Sequence, residues 1–315
     1  RHTATSALLT RNDVIVVASV SCIYNLGVPD RYFEGALYLE TGKIITRADL
    51  ISSLVKMGFT RNNVAPERGE FSVRGDVFEV RAASEEIIYK VILEDRNIAQ
   101  ISVIDAVRKV VQNNLQDIIL FPPKHFVTNL PERVRALKTI KAELKERLAY
   151  FNKNKLLLEA ERLERRSKYD LEMIANLGYC HGIENYSRHF SGALPGEPPE
   201  TLLSYFAANP GKEGKREFLT IIDESHITIP QVRGMYEGDQ SRKKILVEHG
   251  WRLPSALDNR PLNFKEFEAR LGSVICTSAT PGDYEYDRST RVVEQIVRPT
   301  GLVDPPIEIR PVYEG

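Results

Sequence analysis

The sequence predicts an α/β protein in which an antiparallel block is set between parallel-type strands. Three observations carry that prediction. Two runs rich in β-branched residues, 218–222 and 273–276, stop at polar residues without alternating, as buried parallel strands do. Between residues 70 and 104, four short runs alternate apolar and polar residues and are parted by turn residues, the signature of an antiparallel meander. Across 130–177 apolar residues recur at three- and four-residue spacing, which makes long helices.

Taken in order, residues 1–11 are helix formers, and 13–18 read as a buried strand followed by a turn that Gly27 and Pro29 punctuate. Residues 36–39 and 43–46 read as strands around Thr41 and Gly42. Residues 47–57 form a helix with Leu50, Ile51, Leu54 and Val55 on one face. The meander occupies 70–74, 77–82, 87–93 and 98–104, and 117–121 leads out of it to Pro122 and Pro123. An antiparallel block in this position predicts an inserted α+β domain over 36–118.

Asn129, with Glu132 three residues on, is a helix start. The helices 130–151 and 155–177 follow, the first with Val134, Leu137, Ile140, Leu144 and Leu148 as its buried stripe. Residues 131–170 hold 12 Lys and Arg against 7 Asp and Glu, which suits either solvated faces or a nucleic-acid patch. Residues 179–217 are an irregular Gly-, Pro- and aromatic-rich stretch. Within it, Tyr186, Arg188 and His189 suit either base stacking or a hydrogen-bonded packing loop. Residues 209–216 read as an exposed polar insertion, 230–250 as polar and basic, and 264–270 as a helix.

Composition narrows the function classes. Hydrophobic content of 42% and charged content of 27% are those of a globular protein. Lys plus Arg and Asp plus Glu both number 43, so only local patches can argue for nucleic acid. Cys22, Cys180 and Cys276 show no paired spacing, which argues against a disulfide frame and for a reducing compartment. Cys180, His181 and His189 lack the further ligands of a metal site and read as a buried thiol and ordinary histidines. No apolar run is long enough to span a bilayer, and residues 1–30 do not read as a signal peptide. The chain opens at Arg1 and closes at Gly315 after a strand-like 307–309, and reads as part of a longer protein.

The chemistry concentrates at the end of the first parallel run. Residues 218–222 deliver Asp223-Glu224-Ser225-His226 to the carboxyl end of a strand, where open α/β sheets place their ligands. An Asp there suits Mg²⁺, which takes one or two carboxylates and keeps several waters. A neighbouring Glu suits orientation of a water for attack on a γ-phosphate. The second run ends in Thr277-Ser278-Ala279-Thr280-Pro281-Gly282, a tight loop able to touch the first site. A phosphate cradle needs Gly-x-x-x-x-Gly-Lys followed by Ser or Thr. Lys43, Lys212 and Lys215 each follow a Gly, but Leu37, Phe206 and Asn209 stand where the first Gly belongs. One wall of a nucleotide site is present in the sequence and the other is not.

These blocks resemble the UvrB family, the damage-verifying subunit of bacterial UvrABC excision repair. The resemblance runs through 3–8, 17–24, 165–173, 182–189, 223–226, 234–239, 253–262 and 278–282, and so covers nearly the whole chain. It implies a superfamily-2 helicase-type ATPase that uses ATP and Mg²⁺ in the cytoplasm. It also implies a partial RecA-like lobe at 1–35 and 218–300 and an inserted domain at 36–118 that docks on UvrA. A helical DNA-clamping domain would occupy 119–217, and 301–315 would begin the linker to a second lobe. The family's glycine-rich phosphate loop and aromatic hairpin would precede Arg1.

By the same resemblance Asp223 holds Mg²⁺, Glu224 polarises the attacking water, and His226, Ser278, Ala279 and Thr280 couple hydrolysis to movement. Arg61, Arg74 and Lys90 would meet UvrA; Tyr186, Arg188 and Arg260 are the candidates for contact with damaged double-stranded DNA; UvrC would act afterwards. Lys90 stands where the family has Arg, losing bidentate geometry, while Ser72 and Ile92 replace an Arg and a Glu. A competing reading is an adaptor without catalysis, related to the transcription–repair coupling factor. That factor's corresponding lobe has lost its nucleotide motifs, whereas Asp223-Glu224 and 278–280 stand here.

Overall fold

The computed structural model describes residues 1–83, 87–126, 130–208, 217–296 and 305–309. The chain opens with helix α1 (His2–Thr10), passes through a 3₁₀ turn at Val20–Ile23 and reaches α2 (Pro29–Glu34). Residues 13–18 form no strand, and Ile15 and Val17 are almost fully exposed, contrary to the buried strand expected there. The physical reason is pairing: a β-branched run becomes a buried strand only between neighbours, and no described strand lies beside it.

Strand β1 (Leu37–Glu40) precedes α3 (Arg47–Met57). Thr46 Oγ1 accepts the Asp49 N–H at 3.1 Å, and Gly58 ends the helix in the left-handed region at φ 96°. That cap takes the place of the strand expected at 43–46, where Ile44 makes one isolated bridge to Asn97. There follow β2 (Thr60–Arg61), β3 (Glu70–Arg74), β4 (Val77–Arg81), β5 (Ile87–Glu94), β6 (Asn97–Asp105), β7 (Val111–Leu115) and β8 (Asp117–Leu120). Strands β2 to β7 form one sheet in sequence order, antiparallel from β3 onward, with β2 parallel to β3. Strands β8 and β1 close a separate antiparallel pair, Leu37 facing Leu120.

Register sorts the six-stranded sheet into two faces. Phe71, Val80, Tyr89 and Val103 stand in one cross-strand row, and Val73, Phe78, Val91 and Ile101 in the next. Both rows are buried under Leu50 and Leu54 of α3. On the opposite face Ser72, Glu79, Lys90, Ser102 and Asn114 form a polar row, and Arg74, Val77, Ile92 and Gln100 lie beside it. This face is solvated only in part: Arg74, Gln100 and Asn114 are exposed, whereas Ser72 and Ser102 are buried.

Helices α4 (Leu130–Lys153) and α5 (Leu157–Leu177) form an antiparallel hairpin turned at Lys155, which has φ 59°. Its buried stripe on α4 is Ala136, Ile140, Leu144 and Phe151, with Leu137 and Leu148 half-buried. Val134 is exposed, so the stripe is rotated from the expected one. The expected cap at Asn129 and the insertion at 209–216 lie outside the described residues. Two short helices, α6 (Ser187–Ser191) and α7 (Leu202–Ala207), lead to β9 (Leu219–Ile222).

From β9 the chain enters α8 (Ser225–Glu248), then α9 (Phe264–Arg270), β10 (Ser273–Cys276) and α10 (Asp283–Arg288). Helix α8 takes up most of the stretch 230–250 that reads as polar and basic. Its cohesion comes from contacts at Ile229, Val232, Val247 and a buried Asp239–Lys243 pair at 2.8 Å, which outweigh Pro230, Gly234 and Gly238 inside it. Its far end meets the helical hairpin, where Arg147 donates to the Val247 carbonyl and Arg162 to that of His249.

Gly250 makes the closest of these approaches. At φ 69°, a Cβ there would fall 2.3 Å from the Glu159 carbonyl oxygen. Gly250→Ala is therefore expected to cost about 2–4 kcal/mol, combining overpacking with a left-handed penalty. The midpoint of urea unfolding measures it, and an unchanged midpoint would show that α5 and α8 do not meet this closely.

Candidate active site at the end of strand nine

Strands β9 and β10 pair in parallel, with Ile222 opposite Cys276, so both carboxyl ends finish at the same level. Beyond that level the backbone stays zipped: Thr277 N–H donates to the Ile222 carbonyl at 3.0 Å, and Ser225 N–H to the Thr277 carbonyl at 3.0 Å. The two turns are thereby forced together. Glu224 pays the conformational cost of the corner with φ 44° and ψ 53°, a left-handed geometry costing about 1 kcal/mol or more for a residue with a side chain.

The side chains follow from this backbone. Thr277 Oγ1 donates to Asp223 Oδ1 at 2.7 Å, which fixes that carboxylate's orientation. Ser278 Oγ lies 2.7 Å from His226 Nδ1, and Glu224 Oε2 lies 3.5 Å from the same nitrogen. Thr280 N–H turns back onto Ser278 Oγ at 3.1 Å, closing the loop on itself. Asp223 and Glu224 are both exposed. Open carboxylates at a strand end, one of them already oriented, suit a hydrated Mg²⁺ shared with phosphate oxygens. Among the described residues no group of three or more His, Cys, Asp or Glu could hold a metal unaided, so an ion here needs oxygens from a ligand. Thr277 is the contributor that sequence reading missed. Its position one residue before Ser278 at a strand end was the available signal.

The sheet around the site departs from expectation. Leu219, Ile221, Val274 and Ile275 are 41–61% exposed, whereas a parallel strand was expected to be buried. Strand β9 has one neighbour and an uncovered face, and burial of a parallel strand requires both edges and both faces to be covered.

Comparison with known proteins gives the site its setting. Residues 37–126 match the UvrB interaction domain and residues 131–192 the UvrB third helical domain. UvrABC system protein B of Thermodesulfovibrio yellowstonii is 53% identical over 313 residues, 99% of this chain and 46% of that relative. The chain belongs to the UvrB family. The same-named proteins of Carboxydothermus hydrogenoformans and Halalkalibacterium halodurans are each 52% identical over 99% of the chain. The chain spans about half the length of these curated relatives.

The remaining family positions divide into surface and interior. Arg61 lies on the exposed edge strand β2 and Arg74 at the end of β3; Asn63 joins them, accepting from Arg61 Nε at 3.3 Å and, through its carbonyl, from Arg74 at 3.2 Å. Arg74, Lys90, Ser72 and Ile92 lie on the same polar sheet face, Arg74 exposed, Lys90 and Ile92 half-buried and Ser72 buried, so the two family departures fall on the face of the expected docking set.

Tyr186 and Arg260 are buried and Arg188 is half-buried, so none of the three candidates for DNA contact stands openly on the surface. Tyr186 is buried and donates to Asp170 Oδ2 at 2.8 Å. Arg188 bridges Asp258 at 2.7 Å and Glu143 at 3.3 Å. Arg260 is buried and forks onto both oxygens of Glu266 at 2.6 and 2.8 Å. Side chains engaged with internal carboxylates in this way have fewer donors left for a phosphate. His189 likewise bonds Thr139 and Glu143, and burial pushes the Cys180 thiol up to about 12; both are packed inside, whereas His181 is exposed. No helix among the described residues is long and apolar enough to cross a membrane.

Proposed function

We propose that this chain is the part of a nucleotide-excision-repair subunit that carries the metal- and water-handling acids of an ATPase site and the sheet that docks on UvrA. The subunit receives damaged DNA from UvrA, verifies the lesion with ATP binding and hydrolysis, and supports dual incision by UvrC in the cytoplasm. The observation that carries the reading is the contact of Asp223 and His226 with the Thr277–Ser278 turn, in a chain half identical to proteins named UvrABC system protein B.

Asp223 is the residue to hold Mg²⁺, with Oδ1 steadied by Thr277. The ion, when bound, neutralises charge on the phosphates. Glu224, held at a left-handed corner, orients the attacking water. His226 senses Ser278 directly, so displacement of the 278–280 turn reaches the acids. The open apolar faces at Ile15, Val17, Leu219 and Ile221 are where the rest of a RecA-like lobe would pack in the longer relatives.

The test is phosphate release from ATP by a chain extended to the relatives' length, with DNA carrying a bulky adduct. DNA-dependent turnover is expected, and its absence would overturn the reading. The 315 residues alone should bind partners without turnover, because the sequence contains no Gly-x-x-x-x-Gly-Lys run. Arg74→Glu is expected to weaken UvrA association about tenfold by slowing encounter, with a reduced salt dependence. Full retention in surface-bound UvrA binding would remove the docking assignment.

A further inference from the structure

Glu285 is a buried carboxylate beside the site. It lies at the third position of α10, directly after the 278–282 turn, and only 6% of its surface is exposed. Oε2 accepts the Gly282 N–H at 3.2 Å, which ties the end of the turn to the helix. Oε1 is buried and has no hydrogen-bond partner.

The Ser225 hydroxyl is in the same condition. Ser225 is completely buried at the first position of α8, immediately after Glu224, and its Oγ also has no hydrogen-bond partner. It nevertheless lies close enough to act on Glu285. Burial pushes the Glu285 carboxyl up, but the Ser225 hydroxyl, the residue's own N–H, the Gly282 N–H and nearby His226 together bring it below the usual range. A buried donor and a buried acceptor, each without a hydrogen-bond partner, thus lie near one another between the acidic corner and the 278–282 turn. Native interiors rarely leave such groups open, and where they do the open state is unfavourable.

We infer that Glu285 is a positioning residue for the Asp223–Glu224 site: one oxygen holds the 278–282 turn, and the other takes the Ser225 hydroxyl when that turn advances, so that turn movement resets the corner at Glu224. The inference rests on the nucleotide-hydrolysis reading. It adds a second tie between turn and acids, through buried groups, beside the Ser278–His226 contact.

Ser225→Ala separates this role from a structural one. Removing a hydroxyl that bonds to nothing should leave folding unchanged or slightly improved. If Ser225 closes onto Glu285 during turnover, Ser225→Ala lowers kcat about tenfold, with KM for ATP within about twofold. Glu285→Ala does the same, and the double variant is no worse than either single one, as for two residues acting through one contact. Glu285→Gln, which still accepts from Gly282, retains part of the activity.

The measurement is steady-state phosphate release with DNA, using the chain at its relatives' length, with thermal midpoints alongside. Should Glu285→Ala fail to fold, Ser225→Ala decides alone. Normal kcat in Ser225→Ala, or losses that multiply in the double variant, overturn the inference while wild-type turnover still stands. A wild-type protein without turnover overturns the hydrolysis reading and this inference together.

Discussion

Glu143→Ala is expected to destabilise the helical hairpin and its contact with the segment after α8 by about 3–5 kcal/mol, the range for breaking a buried, hydrogen-bonded charge network. Glu143 is a knot between elements far apart in sequence. Oε1 accepts the Ser255 N–H at 2.7 Å and meets Arg188 at 3.3 Å, while Oε2 lies 2.8 Å from His189 Nε2. Alanine leaves the Arg188 guanidinium short of one partner and the Ser255 N–H with none, so the cost is that of stranded groups rather than of one lost bond. Glu143→Gln retains acceptance from Ser255 and should lose roughly half as much.

The pH dependence has a definite sign. Burial pushes the Glu143 carboxyl up, but hydrogen bonds from His189 and Ser255 more than offset it, leaving the folded value below the ordinary 4.5. Its stabilisation is therefore complete above 4.5 and is lost as pH falls below 4.5 through the folded value. Urea midpoints from pH 7 to pH 3 should fall more steeply for wild type than for Glu143→Ala. Parallel curves would show that the network contributes nothing to folding.

Glu224→Gln should lower ATP turnover by about 10²–10⁴-fold, the usual worth of a positioned general base, while leaving nucleotide affinity nearly unchanged. The amide keeps the size and the left-handed corner but cannot accept a proton from water. Because Ser225 N–H, not the Glu224 side chain, zips the corner to Thr277, the substitution should leave the turn in place. Loss of turnover accompanied by an equal loss of binding would point to a structural role for Glu224 instead.

Local rules revealed much of this architecture. Strands β3 and β10 and helices α3 and α9 fall at the residues that alternation, spacing and capping indicate, because Thr46, Gly58 and Asn263 act within their own turns. Helix α8 was illegible because Pro230, Gly234 and Gly238 argue locally against a helix, and partners distant in sequence override them. Strand β7 was hidden for a related reason: Gln112, Asn113 and Asn114 are poor strand formers held by pairing with β6. Residues 13–18 show the converse, a strong β signal without a ladder. At the site, the acids and their turn were visible as two strand ends, but Thr277 and Glu285 act through space. The internal bonding of Tyr186, Arg188 and Arg260 could not be read from residue type, since the same side chains serve phosphates or internal carboxylates equally well.

The most direct test of the claim that this strand end manages a metal is electron paramagnetic resonance of Mn²⁺, used in place of Mg²⁺, with a non-hydrolysable ATP analogue and the chain at its relatives' length. Wild type should show a nucleotide-dependent bound Mn²⁺ signal that weakens at least tenfold in affinity in Asp223→Ala and is retained in Glu224→Gln. An equally tight signal in Asp223→Ala would contradict the account, because the metal would then be held elsewhere.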